Sequence, residues 1–275
     1  MVDVFGRFET LRGTPGPLGP VGLPGSNGTI KDVCKWLPKT TLNKLQLLDE
    51  KGCFVLHDQN KDLEYDAHGN VVKWVSQCLD GPSLITDILS KNLVRKIKEH
   101  RYALVFNESR FISSNLMLLP RRNGYSGFLC FTLKINSFHE EKIMATNYHK
   151  PDANYDEIYV TNKEIKIRGN RDGGQYHYNI SRLDMYKWTT FFIDYVSVGG
   201  RTNYWYTIIN GGAKSYGEFY IKNGRVIYNF TIGSRREGSK FLDGEIAGIE
   251  MYHDLRSGKR FPESIRDLVI ANQVI

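Results

Sequence analysis

From Cys53 onward the chain alternates short apolar runs with Asn-Gly, Gly-Gly and Asp-Gly pairs. "CFVLHD", "YALVFN", "GFLCFTLKI", "EIYVTN", "EIKIRG", "WTTFFIDYVSV", "TNYWYTIING", "GEFYIKNG", "RVIYNFTIG" and "EIAGIEMYH" are rich in β-branched and aromatic residues. Such runs, bounded by turn residues, predict strands. "DAHGNVVKWVSQ" (Asp66 to Gln77) predicts a turn leading into a further strand. In "EIAGIEMYH" a period of two sends Ala247, Ile249 and Met251 toward a core, and Ile246, Gly248, Glu250 and Tyr252 away from it. Three segments have helical spacing instead. Leu42, Leu45 and Leu48 follow a cap at Thr40 or Thr41. Leu84, Ile85, Ile88, Leu89, Leu93 and Ile97 recur at steps of three and four and predict a helix over 83–100. Pro262 opens a last helix with Ile265, Leu268 and Val269 on one face. Many short strands with few helices predict a mainly β sandwich or barrel.

Ahead of the strands the pattern changes. "RGTPGPLGPVGLPGSNGT" (Arg12 to Thr29) has glycine at every third position, Gly13, Gly16, Gly19, Gly22, Gly25 and Gly28, with prolines between. Only glycine fits where three polyproline-II chains meet, so the period predicts a collagen-like stalk and a homotrimer. A flexible linker needs no such register. So few triplets are weak alone, and the rest of the chain must help to hold the trimer. The predicted organisation is a tail (1–12), a collagen-like stalk (13–30), a short helical neck (31–49) and a head (50–275).

Composition narrows the class. The chain has 275 residues, 41% hydrophobic and 24% charged, ordinary values for a globular protein. Sixteen tyrosines favour strands and binding surfaces. A net charge of +7 favours anionic partners. Basic clusters stand at Arg121-Arg122, Arg235-Arg236 and Lys163 to Arg171, where solvated strand edges would also place them. No run of eighteen apolar residues exists, so membrane insertion is not expected. The first residues, with Asp3 and no apolar stretch, do not read as a signal peptide. The expected location is extracellular or on a cell surface, with a virion or phage-like fibre as the alternative.

The order of runs in the head resembles concanavalin A-like (laminin-G-like) jelly rolls. "DAHGNVVKWVSQ" is similar to their opening turn and Trp-bearing strand. "YALVFNESRFISS" and "SGFLCFTLKIN" resemble the strands that follow. "IGSRREGSKFLDGEIAGIEMYHDL" is like their final strand, and "ESIRDLVIANQ" like their closing helix. The resemblance spans roughly residues 50 to 273 and implies an antiparallel jelly-roll β-sandwich. It also implies a choice among sugar-binding lectins, glycan-cleaving enzymes and protein-binding modules, since fold alone does not give function.

Candidate chemistry is weighed on that frame. Asp58, Asn60 and Asp62 in "HDQNKDLE" alternate oxygen ligands as a calcium loop does, but Leu63 and Gly69 stand where glycine and an acidic ligand belong. The resemblance raises the prospect of calcium at a sandwich rim; a solvated loop is the competing reading. Cys34, Cys53, Cys78 and Cys130 allow three disulfide pairings, with Cys34 placed to link chains and Cys130 equally readable as a buried thiol. Asp243 and Glu245 have the i, i+2 spacing of a glycosidase acid pair, followed by Glu250. The fuller acidic motif of glucanases with this fold is missing, and Asp243 reads as the turn residue of an Asp-Gly hairpin. No phosphate loop or nucleophile motif is present, and no nucleic-acid partner is expected. Binding material is aromatic: Tyr125, Tyr176, Tyr178, Tyr204 and Tyr206 lie in or beside turns, with Arg121 and Arg122 for acidic ligands. Aromatic rings stack on sugar faces and also make protein hot spots. Burying Trp205 would leave Tyr204 and Tyr206 outside. The expectation is a non-enzymatic attachment protein for cell adhesion, with a carbohydrate-binding or protein-binding head.

Overall fold

The computed structural model describes residues 52–77, 82–86, 93–113, 116, 125–137, 139–149, 154–171, 174–182, 184–198, 201–209, 217–222, 229–235, 237–255 and 269. The chain divides between Lys31 and Asp32, and all described residues belong to the second unit. The predicted tail, stalk and neck lie outside the described residues, as does the closing helix apart from Val269, which is helical and buried.

In chain order the elements are β1 (Gly52–Val55), α1 (Gln59–Asp62), β2 (Leu63–Tyr65), β3 (Val71–Trp74), β4 (Leu84–Thr86), β5 (Leu93–Lys98), β6 (Arg101–Phe106), β7 (Phe111–Ser113), β8 (Tyr125–Ile135) and β9 (Lys142–His149). There follow β10 (Asn154–Thr161), β11 (Glu164–Arg171), β12 (Gly174–Arg182), β13 (Trp188–Val198), β14 (Arg201–Ile209), β15 (Gly217–Lys222), β16 (Phe230–Ile232) and β17 (Gly244–Leu255). They form two antiparallel sheets. One is eight-stranded in the order β15-β14-β13-β8-β17-β6-β5, with β1 also on β17; the other is nine-stranded, β12-β11-β10-β9-β16-β7-β4-β3-β2. The predicted antiparallel jelly-roll β-sandwich is what the chain adopts.

Alternation builds the core. Leu129, Phe131, Leu133 and Ile135 of β8, with Phe191, Ile193 and Tyr195 of β13, meet Ile158 and Val160 of β10 and Ile165 and Ile167 of β11. Phe131 stacks on Phe191 at 5.3 Å. Trp74 is fully buried, edge-on to Phe54 at 5.9 Å. The predicted turn before it is an Asx turn: Asp66 Oδ1 accepts from the backbone of His68 (2.9 Å) and Asn70 (2.8 Å).

The far side of β8 is buried as well. Phe128, Cys130 and Thr132 have no more than 2% exposure, and Phe128 stacks on both Phe192 (5.3 Å) and Tyr252 (5.8 Å). Burial on both faces explains why "GFLCFTL" is a continuous apolar run rather than an alternating one. Gly127 is needed at the start of that run. A Cβ there would lie 2.1 Å from the Tyr252 carbonyl oxygen and 2.2 Å from the Tyr195 hydroxyl.

Three local expectations are corrected. The segment 83–100 is not a helix: Leu84–Thr86 and Leu93–Lys98 are β4 and β5. Leu84 is buried while Ile85 is exposed, and β5 turns through Glu99 and His100 (φ 55°) to pair with β6. Ladder bonds to β3, β7 and β6 outweigh the local helical spacing, as tertiary pairing commonly does. Second, the register of β17 on β8 shifts between Ile246 and Gly248. The extra residue reverses the alternation, so Ile246 joins Ile249 and Met251 in the core. Third, Asp243-Gly244 is not a hairpin turn, because β16 and β17 lie in different sheets. Gly244 serves a close approach instead, since a Cβ would stand 2.4 Å from the Lys134 carbonyl oxygen.

Candidate functional site

Directly paired residues of antiparallel strands share a face. On the outer face of the nine-stranded sheet, Arg168, Glu157, Thr146, Thr231, Ile112 and Ile85 are successive partners across β11, β10, β9, β16, β7 and β4. Over the β11–β10 end of this row lies a network of five charges. Glu157 accepts from Arg168 Nε (2.7 Å) and from Arg235 Nε (2.7 Å) and Nη2 (3.0 Å). Arg168 also donates to Glu141, through Nη1 at 2.7 Å and through Nη2, and Lys240 completes Glu141. The Arg168 guanidinium lies 4.3 Å from the centroid of the Tyr159 ring, within cation–π range.

Burial alone would raise the Glu141 carboxyl, but Arg168 and Lys240 outweigh it and hold it below its usual range. Burial likewise opposes the charge on Arg168, and the two carboxylates more than reverse that. Every oxygen of Glu141 and Glu157 is occupied by a cation. The network is a clamp: Arg235 and Lys240, from the connection between β16 and β17, fasten that segment onto the sheet.

A second charged cluster lies on the outer face of the eight-stranded sheet. Glu245, at the start of β17, is 2% exposed, and its Oε1 receives Lys134 Nζ at 2.6 Å and Arg95 Nη1 at 2.8 Å. Lys134 Nζ is 5.3 Å from the centroid of the Trp188 ring. Sequence reasoning named Glu245 as a member of an acid pair; it is the counter-ion of two cations. Asp243 Oδ1 instead accepts from Asn136 Nδ2 at 3.3 Å, and Glu250 is buried on β17.

The two predicted carboxylate ligands of a metal are turned to the backbone. Asp58 caps α1 and accepts from Asn60 N at 3.0 Å; Asp62 accepts from His57 N (2.8 Å) and Asp58 N (2.9 Å). Burial raises the Asp62 carboxyl above its usual value. Among the described residues no three His, Cys, Asp or Glu side chains are grouped to hold a metal. Cys130 is a buried thiol and not a disulfide half, while Cys34 and Cys78 lie outside the described residues, and so does the side chain of Cys53.

The predicted ligand-binding residues are placed by backbone alone. Tyr176 and Tyr178 lie on β12 opposite Gly169 and Ile167. Tyr204 and Tyr206 lie on β14 opposite Tyr195 and Ile193, and Trp205 is opposite Asp194. Ile167, Ile193 and Tyr195 are core residues. β12 and β15, the edge strands of the two sheets, approach each other. Tyr125 opens β8; Arg121 and Arg122 lie outside the described residues. Among the described residues no helix is long and apolar enough to cross a membrane.

No family model matches the chain, and no curated protein does. Solved structures do. The binding domain of botulinum neurotoxin serotype D superposes with a TM-score of 0.52 at 12% identity, over 82% of this chain and 52% of that one. The receptor binding domain of the mosaic serotype C/D neurotoxin, solved with tetraethylene glycol and sulfate, gives 0.51 at 10% identity, over 82% and 51%. The chain thus spans about half the length of these two structures, and at these identities what is shared is the fold.

Proposed function

We propose that the protein is a non-enzymatic recognition protein whose β-sandwich head binds glycan or protein ligands on a surface. The observation that carries the reading is the coupling of two features: six in-phase glycines, and a sandwich of the kind that toxin receptor-binding domains use. The reading includes a collagen-like stalk over 13–30 and a homotrimer presenting three heads outside the cell. Three linked sites multiply a weak affinity through effective concentration, so shallow sites suffice. Two features support binding over hydrolysis. The carboxylates Glu141 and Glu157 are saturated by cations, and Glu245 of the candidate acid pair is an ion-pair partner.

The test uses the full chain. Sedimentation should give three protomers, Gly19→Asp should weaken the trimer, and a saccharide array should show capture without release of reducing ends. A monomer would refute the fibre; turnover of a bound saccharide would refute the assignment as a binder.

A further inference from the structure

The cluster around Glu245 differs from the clamp on the opposite sheet in a way that points to a ligand. Trp188 pairs with Lys134, Lys134 with Glu245, Glu245 with Val105 and Val105 with Leu93, so one row crosses β13, β8, β17, β6 and β5. Arg95, two residues beyond Leu93, shares that face, and its bond to Glu245 confirms it. In the clamp, all carboxylate oxygens are taken. Here two cations share a single oxygen, and the other, Glu245 Oε2, is buried with no hydrogen-bond donor. A pair built for stability alone would satisfy both oxygens, because an unmet buried acceptor costs free energy.

Arg95 is underused as well. Arg95 spends only Nη1 on Glu245, and its side chain is 59% exposed. Lys134 is mostly buried, beside the partly exposed Trp188. On the same strand Lys96 and Lys98 are exposed; Glu99 is the nearby acid, 3.5 Å from His100 at the hairpin tip.

We propose that Arg95, Lys134 and Trp188 form a subsite for an acidic saccharide, one whose ring bears a carboxylate or a sulfate. The open edge of the Arg95 guanidinium takes the anion in a two-point contact, which its planar fork favours. Trp188 offers a platform for the sugar ring. Lys134 adds the second positive charge. Glu245 is a positioning residue: by fixing one edge of Arg95, it removes rotamer freedom that binding would otherwise have to freeze. The inference rests on the reading of the head as a saccharide binder and names the chemistry of one site.

The test is calorimetric titration of the full chain with lactose, sialyllactose and sulfated lactose. The expected result is binding of an acidic probe, but not lactose, that weakens as salt rises. Response to the sialylated or the sulfated probe identifies which anion is taken. Arg95→Ala and Trp188→Ala should each lower that affinity at least about tenfold. Lys61→Ala, which removes a charge from an exposed side chain on α1, should leave it unchanged. If Arg95→Ala fails to fold, Arg95→Lys serves instead: it keeps the charge facing Glu245 but loses the fork, and a severalfold weakening is expected. Equal affinity in the Arg95 and Trp188 variants overturns the inference. Acidic probes that fail while other saccharides bind on the array overturn it too, and leave the general reading standing; binding to no saccharide overturns the inference and the glycan branch of that reading, leaving a protein ligand.

Discussion

Replacing His57 by glutamine should make the head less sensitive to acid. His57 follows β1, and its Nε2 lies 3.5 Å from Nη1 of the buried Arg101. Burial first, and the Arg101 charge second, lower the imidazole from 6.5 to about 4. Between those values the unfolded chain binds a proton that the native head refuses. Native stability therefore falls as pH falls: the contribution of neutral His57 is complete above about 6.5 and largely lost by about pH 4. The gap corresponds to about 3 kcal/mol. Asp62, raised by burial, takes up its proton earlier in the native head than in the unfolded chain, which moderates the loss at the acid end. Urea unfolding near pH 7 and near pH 4 measures this directly. The wild type should lose about 3 kcal/mol more than His57→Gln between the two conditions. Equal losses would show that His57 is not held neutral by its surroundings, and the reasoning would fail.

Glu157→Gln should cost about 3–5 kcal/mol in urea unfolding, because it leaves Arg168 and Arg235 short of a counter-charge in a largely buried site; a loss under about 1 kcal/mol would mean the clamp does not hold the β16–β17 connection. Gly127→Ala should lower the thermal midpoint, by overpacking worth about 1–3 kcal/mol or more against the Tyr252 carbonyl and the Tyr195 ring. An unchanged midpoint would contradict the close approach there.

The strands were largely legible because alternation and turn chemistry are local. "DAHGNVVKWVSQ" announced a turn and a Trp-bearing strand, and "GFLCFTL" announced the central strand β8. Local reasoning failed where pairing partners were distant. Leu84 to Ile97 has helical spacing in isolation, yet β3, β6 and β7 recruit its two ends as strands. A single bulge after Ile246 reversed the facing of its neighbours, and no periodicity contains that bulge. The charged sites lay furthest from view. Arg95 and Glu245 are 150 residues apart, and Arg235 and Glu157 are 78 apart. Each residue alone looks like an ordinary charge on a strand or loop. Which carboxylate is saturated and which leaves a cation open depends on which strands the two sheets set side by side. The sequence by itself determined the strand-and-turn grammar and the glycine register, both set by backbone sterics and nearest neighbours. Tertiary structure decided register, facing and ion pairing, since those energies arise only when remote segments share a desolvated surface.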